Sequence, residues 1–155
     1  MIGILICSIV VFTAIMFFIK FYKSKFTKKF HVIIHTLGLP IVSYESNGHQ
    51  LNFLIDTGSN KSHLKLGIAE KIGATPICTT EENVVTTGNG AAKQYGYYNV
   101  YLTLSDNLVI CQDFEIMDLE ETFSDWGIRV DGILGIDFLS KYHYKLNFKK
   151  LIMHV

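Results

Sequence analysis

The chain has 155 residues, 49% of them apolar, and its 14 Lys and Arg are balanced by 14 Asp and Glu. That is enough for one domain with an appendage and a real core, and too evenly charged for a polyanion-binding surface, so nucleic acid is not an expected partner. The three cysteines, Cys7, Cys78 and Cys111, make no disulfide framework and lack metal-ligand spacing. Free thiols in a reducing compartment are the reading, with a single Cys78–Cys111 bridge as the alternative.

Residues 2–19 carry no charged side chain. A helix of about 18 residues rises about 27 Å, just enough for a bilayer core. A cleaved signal peptide would want a basic segment before the apolar run and small residues at a cleavage site. Here the first basic residue is Lys20, and Phe17-Phe18-Ile19 is a poor site. The reading is therefore a retained transmembrane anchor over residues 1–20. Lys20, Lys23, Lys25, Lys28 and Lys29 follow it. The positive-inside rule places that flank, and all that follows, on the cytoplasmic side of a single-pass protein. Residues 21–36 read as a basic juxtamembrane linker, with His31 to Thr36 partly extended, and residues 37–155 as one domain.

Leu39 to Ser46 alternates loosely, as a half-buried strand does, and Asn47-Gly48 is a two-residue hairpin signal. The return strand, His49 to Ile55, ends in the apolar run Phe53-Leu54-Ile55 and then Asp56-Thr57-Gly58-Ser59. A carboxylate at a rigid strand end, flanked by short hydroxyls, is suited to acid–base work; the bland alternative is an Asx turn. Ser62 to Leu64 resumes extended structure. Lys65 to Ile72 reads as a short helix stopped by Gly73.

Glu82 to Lys93 reads as two extended arms around a Gly88-Asn89-Gly90 tip. Tyr95 to Leu104 and Leu108 to Met117 are rich in strand formers, and Val100, Leu102 and Leu104 share one face. Asp118 to Gly127 is acidic and looser, with Trp126 and Phe123 as anchors. Val130-Asp131-Gly132-Ile133-Leu134-Gly135 is a second apolar strand ending in glycine, after which Asp137 opens a helical turn. Tyr142 to Leu146 and Phe148 to Met153 read as a closing hairpin. The six histidines show no convergent ligand pattern, so no metal site is expected.

The hydrophobic run into Asp56-Thr57-Gly58-Ser59, followed far downstream by Ile133-Leu134-Gly135, resembles the retropepsin family of aspartic proteases. The resemblance covers roughly Leu39 to Val155. It implies an all-β, half-barrel acid-protease subunit with one or two short helices, here preceded by the N-terminal transmembrane helix. It implies that Asp56 is catalytic, that Thr57 cross-bonds the loops of two subunits, that Gly58 permits the turn, and that Ser59 hydrogen-bonds the outer oxygen of Asp56. It makes Thr87, Gly88, Asn89 and Gly90 the tip of a flap over an extended peptide, and Ile133, Leu134 and Gly135 a packing element beside the catalytic loop. Asp131 and Asp137 remain structural.

One carboxylate is not enough for this chemistry. Two must share a proton, so that the neutral one polarises the peptide carbonyl while the charged one takes a proton from a water between them. A chain with one Asp-Thr-Gly is expected to find the second carboxylate in a second copy of itself across a two-fold axis. The expectation is a membrane-anchored, homodimeric aspartic endopeptidase acting on extended peptide or protein substrates without a cofactor. The rival readings are a catalytically silent binding or dimerisation module of the same fold tethered to the membrane, and a small membrane protein that binds peptides by strand addition.

Overall fold

The computed structural model describes residues 9–19, 29–34, 38–87, 90–105, 108–119, 127 and 129–154. Residues 9–19 form a helix, α1, in which every side chain is exposed. At about 1.5 Å per residue it rises about 16 Å, roughly half a bilayer core. Residues 2–8 of the expected span lie outside the described residues. Among the described residues no helix is long and apolar enough to cross a membrane.

The sheet begins earlier than the expected boundary at residue 37. Lys29–Ile34 forms β1, which pairs antiparallel with β2 (Pro40–Ser46) and with the C-terminal strand β10 (Ile152–His154). So 29–34 is not linker. Val32 is buried in the core, and its N–H donates to Leu151 O at 2.9 Å. The expected transmembrane flank and the first strand overlap in sequence, and basic residues at 28 and 29 hide the short apolar run.

β2 and β3 (His49–Ile55) form the expected hairpin, with Tyr44 opposite Leu51 and Ser46 opposite His49. Asn47 and Gly48 both take positive φ, 46° and 77°. That is the mirror-image turn whose twist matches the strands it joins. β3 is buried on both faces. Leu51, Phe53 and Ile55 point into the main core, and Leu54 into a smaller cluster with Ile41, Met117, Leu119 and Val130. This is why Phe53-Leu54-Ile55 reads as a continuous apolar run rather than an alternating one.

β4 (His63–Lys65) and a one-turn helix α2 (Ile68–Lys71) follow, and the turn ends at Gly73 with φ 63°. β5 (Thr75–Thr87) and β6 (Gly90–Ser105) form the long hairpin, in register from Asn83 opposite Gln94 to Thr87 opposite Gly90. β7 (Leu108–Met117) pairs with β6, and β8 (Gly132–Leu134) leads into α3 (Ile136–Lys141). β9 (Lys145–Asn147) and β10 close the chain as a hairpin shorter than expected. The acidic stretch's Phe123 and Trp126 lie outside the described residues.

The strand order is β5-β6-β7-β4-β8-β3-β2-β1-β10-β9, and a pairing of Glu45 with Thr103 joins β2 to β6, so the sheet curls back on itself. Inside the curl Phe53 stacks on Phe114, with ring centroids 5.5 Å apart, and Phe138 stacks on Tyr144 at 5.2 Å. Burial of these large side chains is the main source of stability.

β8 is the central strand. It runs parallel to β3, with Phe53 opposite Gly132 and Ile55 opposite Leu134, and antiparallel to β4, with His63 opposite Ile133. The three strands fit only because Gly132 has no side chain. A Cβ there would collide with His63 O and lie 2.9 Å from the Phe53 ring. Gly132→Ala is therefore expected to lower the urea midpoint with an unchanged slope, a loss of about 1–3 kcal/mol or more because the obstructing atom is backbone. A variant as stable as the parent would refute this account of the strand triplet.

Candidate active site

Asp56 follows directly on β3. Its N–H donates to Leu134 O at 3.0 Å, so the residue is fixed by β8 before its side chain is considered. Its Oδ1 accepts the Gly58 N–H at 2.8 Å, and its carbonyl accepts the Ser59 N–H at 3.3 Å. Asp56 is half-buried, while Thr57 and Gly58 are exposed at the loop tip. The carboxylate thus stands at the end of a buried strand with one oxygen held by backbone.

Ser59 does not play the expected part. Its hydroxyl donates to Lys61 O at 2.7 Å and lies 3.2 Å from His63 Nε2, not against Asp56. A serine has one proton, and here the local carbonyl takes it. The Gly58 N–H supplies the bond to Asp56 that Ser59 was expected to give.

Leu134 and Gly135 lie against this loop, while Ile133 sits between β3 and β4, opposite Leu54 and His63. A Cβ on Gly135 would run into Lys61 O and lie 2.8 Å from Ser59 O. Close approach lets the Ile136 N–H reach Ser59 O at 2.8 Å, and the buried Gly135 N–H reach Ser62 Oγ at 3.0 Å. Ser62 Oγ in turn donates to Asp137 Oδ1 at 2.7 Å, and the Ser62 N–H to Oδ2 at 3.1 Å. Asp137 also accepts from Gln112 Nε2 at 3.2 Å and from the Phe138 N–H at 2.7 Å. Asp137 is therefore structural, as expected, but it does more than favour a helix terminus: it ties the loop to α3 and β7.

Asp131 is structural too. It is 1% exposed, accepts the Asn52 N–H at 2.9 Å, and meets Arg129 Nε at 2.9 Å. A surface hollow of about 450 Å³ lies around Arg129, lined also by Gly48, His49, Gln50, Asn52 and Lys71. It contains none of the residues expected at the site.

Thr87 and Gly90 face each other at the end of the β5–β6 hairpin, whose tip, Gly88 and Asn89, lies outside the described residues. Cys78 and Cys111 are not joined to each other by a disulfide. Among the described residues no group of three or more His, Cys, Asp or Glu is placed to hold a metal ion.

The histidine four residues beyond Ser59 is the residue that sequence reasoning passed over. His63 Nδ1 lies 3.3 Å from Glu115 Oε2, and Glu115 Oε1 accepts the Tyr97 hydroxyl at 2.6 Å. Burial is the main influence on His63 and pushes its imidazole below its ordinary value of 6.5, against the pull of Glu115, Asp137 and Asp56. The bond to Glu115 is the first cause of a raised Tyr97 hydroxyl. The pairing of His63 with Glu115 depends on β4 and β7 lying side by side, which local sequence does not announce.

Residues 42–138 match the family described as aspartyl protease, more than half of the chain. The chain belongs to this aspartyl protease family. Among solved structures it is similar to a retropepsin-like aspartic protease from Rickettsia conorii, at 15% identity and a TM-score of 0.53, over 82% of this chain and 98% of the other. It is also similar to the retroviral protease-like domain of Ddi1 from Leishmania major, at 18% identity and a TM-score of 0.50, over 70% and 81% of the two chains. At such identities the likeness shows a retropepsin-like fold. The UBA domain-containing protein Mud1 of Schizosaccharomyces pombe is 28% identical over 115 residues, 74% of this chain. The chain spans about a third of that protein's length, 32%.

Ser62 joins the loop, the end of β8 and α3 through one hydroxyl. Ser62→Ala is expected to strand the buried Gly135 N–H and to remove one of the two bonds to Asp137 Oδ1, lowering stability by about 1–3 kcal/mol in thermal or urea unfolding. Unchanged stability would mean that the hydroxyl does not hold the loop to β8.

Proposed function

We propose that the chain is an aspartic endopeptidase that works as a homodimer, hydrolysing peptide bonds with a water activated by a pair of Asp56 carboxylates. The observation that carries this reading is the Asp56 loop itself. A half-buried carboxylate is fixed by β8 and by the Gly58 N–H at the exposed tip of a strand, within an aspartyl protease chain that contains one Asp-Thr-Gly. A two-fold axis through the loop tips would set the two carboxylates side by side, with Thr57 of each at the interface. The pair holds one proton between them. The charged member takes a proton from the water as it attacks the carbonyl carbon, and the neutral member gives its proton to the carbonyl oxygen. The resulting tetrahedral species then collapses, and the peptide nitrogen leaves protonated. The β5–β6 hairpin is read as a flap over a substrate bound as an extended strand.

We further propose that residues 2–19 anchor the protein in a membrane, with the catalytic domain on the cytoplasmic side. What supports this is a helix at 9–19 that is exposed and apolar all round, followed by lysines. Its one hydroxyl, on Thr13, is satisfied within the helix by Ile9 O and Val10 O, at 3.0 and 2.9 Å. An internally satisfied, uncharged helix suits lipid. Tethering would raise the effective concentration of subunits and let a weak dimer assemble.

A catalytically silent module of the same fold is the second reading, favoured by the turning of the Ser59 hydroxyl away from Asp56. Incubation with a diverse peptide mixture separates the two. New termini are expected from the parent, and Asp56→Asn is expected to cut their rate by roughly 10²–10⁴-fold. Equal mixing of parent and Asp56→Asn subunits should leave roughly a quarter of the activity, the share of parent–parent pairs on random exchange. Half would indicate monomers at work, and cleavage surviving in the variant would remove Asp56 as the catalyst. The full chain is expected to stay with membranes through an alkaline wash, its C-terminus shielded from protease added to intact cells. Release by the wash would exclude the anchor.

A further inference from the structure

His63, Glu115 and Tyr97 form a polar file running away from the catalytic loop, and its protons do not balance when the imidazole is neutral. The single hydroxyl proton of Ser59 goes to Lys61 O. In the 3.2 Å contact with His63 Nε2 the serine oxygen must therefore accept, and Nε2 must carry the hydrogen. This also excludes Ser59 as a nucleophile discharging its proton to His63, despite a Ser–His–Glu spacing. With hydrogen on Nε2, a neutral ring leaves Nδ1 bare. That atom is buried, has no hydrogen-bond partner among the described residues, and lies 3.3 Å from a Glu115 oxygen. The two side chains are 14% and 12% exposed, so water screens them little. A lone pair turned toward a carboxylate is repulsive; one added proton turns that repulsion into an ion pair.

The file reaches across four elements. Ser59 is on the catalytic loop, His63 on β4, Glu115 on β7 and Tyr97 on β6, the strand that descends from the flap tip. The Glu115 N–H also donates to Ser62 O at 3.0 Å. The charged groups acting on the ring are Glu115 from β7, Asp137 from α3 and Asp56 from the loop, all of which favour a cation, while burial opposes it.

We propose that His63 and Glu115 form a proton-accepting pair that, on acidification, ties the catalytic loop to the flap-bearing strands, making His63 a positioning residue for the active site. The proton comes from solvent. The cationic ring donates to Ser59 with one nitrogen and pairs with Glu115 through the other, and Tyr97 holds Glu115 in place. The same proton weakens the fold as a whole. The unfolded chain takes it near pH 6.5 and the native chain only at lower pH, so stability is full above 6.5 and declines as pH falls toward the native value.

The kinetic half of this inference rests on the proteolytic reading; the titration half does not. In the full-length chain with isotope-labelled histidine, the His63 ring resonances are identified by their loss in His63→Gln and followed by NMR from pH 8 to pH 4. His63 is expected to titrate below 6.5, and Glu115→Gln to lower its midpoint further, on the order of half a pH unit or more. Asp56→Asn should lower it less. His63→Gln should flatten the decline in Tm below pH 6.5. In peptide cleavage, the parent's kcat/KM profile should carry an inflection at the His63 midpoint that is absent from His63→Gln and from Glu115→Gln, with the double variant no worse than either single one. A His63 midpoint indifferent to Glu115→Gln overturns the pair. A normal midpoint shift with superimposable kinetic profiles overturns the positioning role while leaving the protease reading intact. A chain that titrates as expected but cleaves nothing overturns the protease reading and leaves the pair standing.

Discussion

The structure depends on the passage of β8 between β3 and β4 at backbone contact distance. Gly132 lies against the His63 carbonyl and the Phe53 ring, and Gly135 against the carbonyls of Lys61 and Ser59. Because no side chain intervenes, backbone hydrogen bonds cross directly from the Asp56 N–H to Leu134 and from the Ile136 N–H to Ser59. The loop that carries the carboxylate is thereby held on both sides by main chain. Main chain is stiffer than any side-chain contact, and a positioned acid requires that stiffness.

Around that crossing the polar groups fall into two systems with different characters. Ser62, Asp137, Gln112 and the Gly135 N–H form one network in which each donor meets a carboxylate or hydroxyl oxygen, while the buried Gln112 Oε1 has no partner among the described residues. Such a network stiffens its surroundings. The Ser59–His63–Glu115–Tyr97 file has one vacant position, the buried Nδ1 of the half-buried His63 ring. A single loop is thus fixed by one network and made responsive to pH by the other. The two meet at Ser62, whose carbonyl accepts the Glu115 N–H.

The remainder of the fold presents this crossing to solvent. The pairing of Glu45 with Thr103 closes the sheet around the aromatic core, which leaves the loop tip, Thr57 and Gly58, outside it. The β1–β10 pairing brings the N-terminal approach of the domain next to its C-terminus. Lys29–Ile34 is therefore part of the folded sheet and not of a linker.

Much of this was legible in sequence because it is local. The Asn47-Gly48 turn, the doubly buried Phe53-Leu54-Ile55 run, the stop at Gly73 and the limits of Leu108 to Met117 all follow from residue preference and periodicity. The placing of Asp56 directly after β3, and of Leu134 and Gly135 against its loop, joins two motifs far apart in the chain. What sequence did not reveal involves partners distant along the chain. The Ser59 hydroxyl could serve Asp56 or Lys61, and only the turn geometry selects Lys61. Val32 reads as linker until β10 arrives from the far end to pair with its strand. His63 is an unremarked histidine until β7 sets Glu115 beside it, because the charge state of a group depends on neighbours that folding alone brings within a few ångströms.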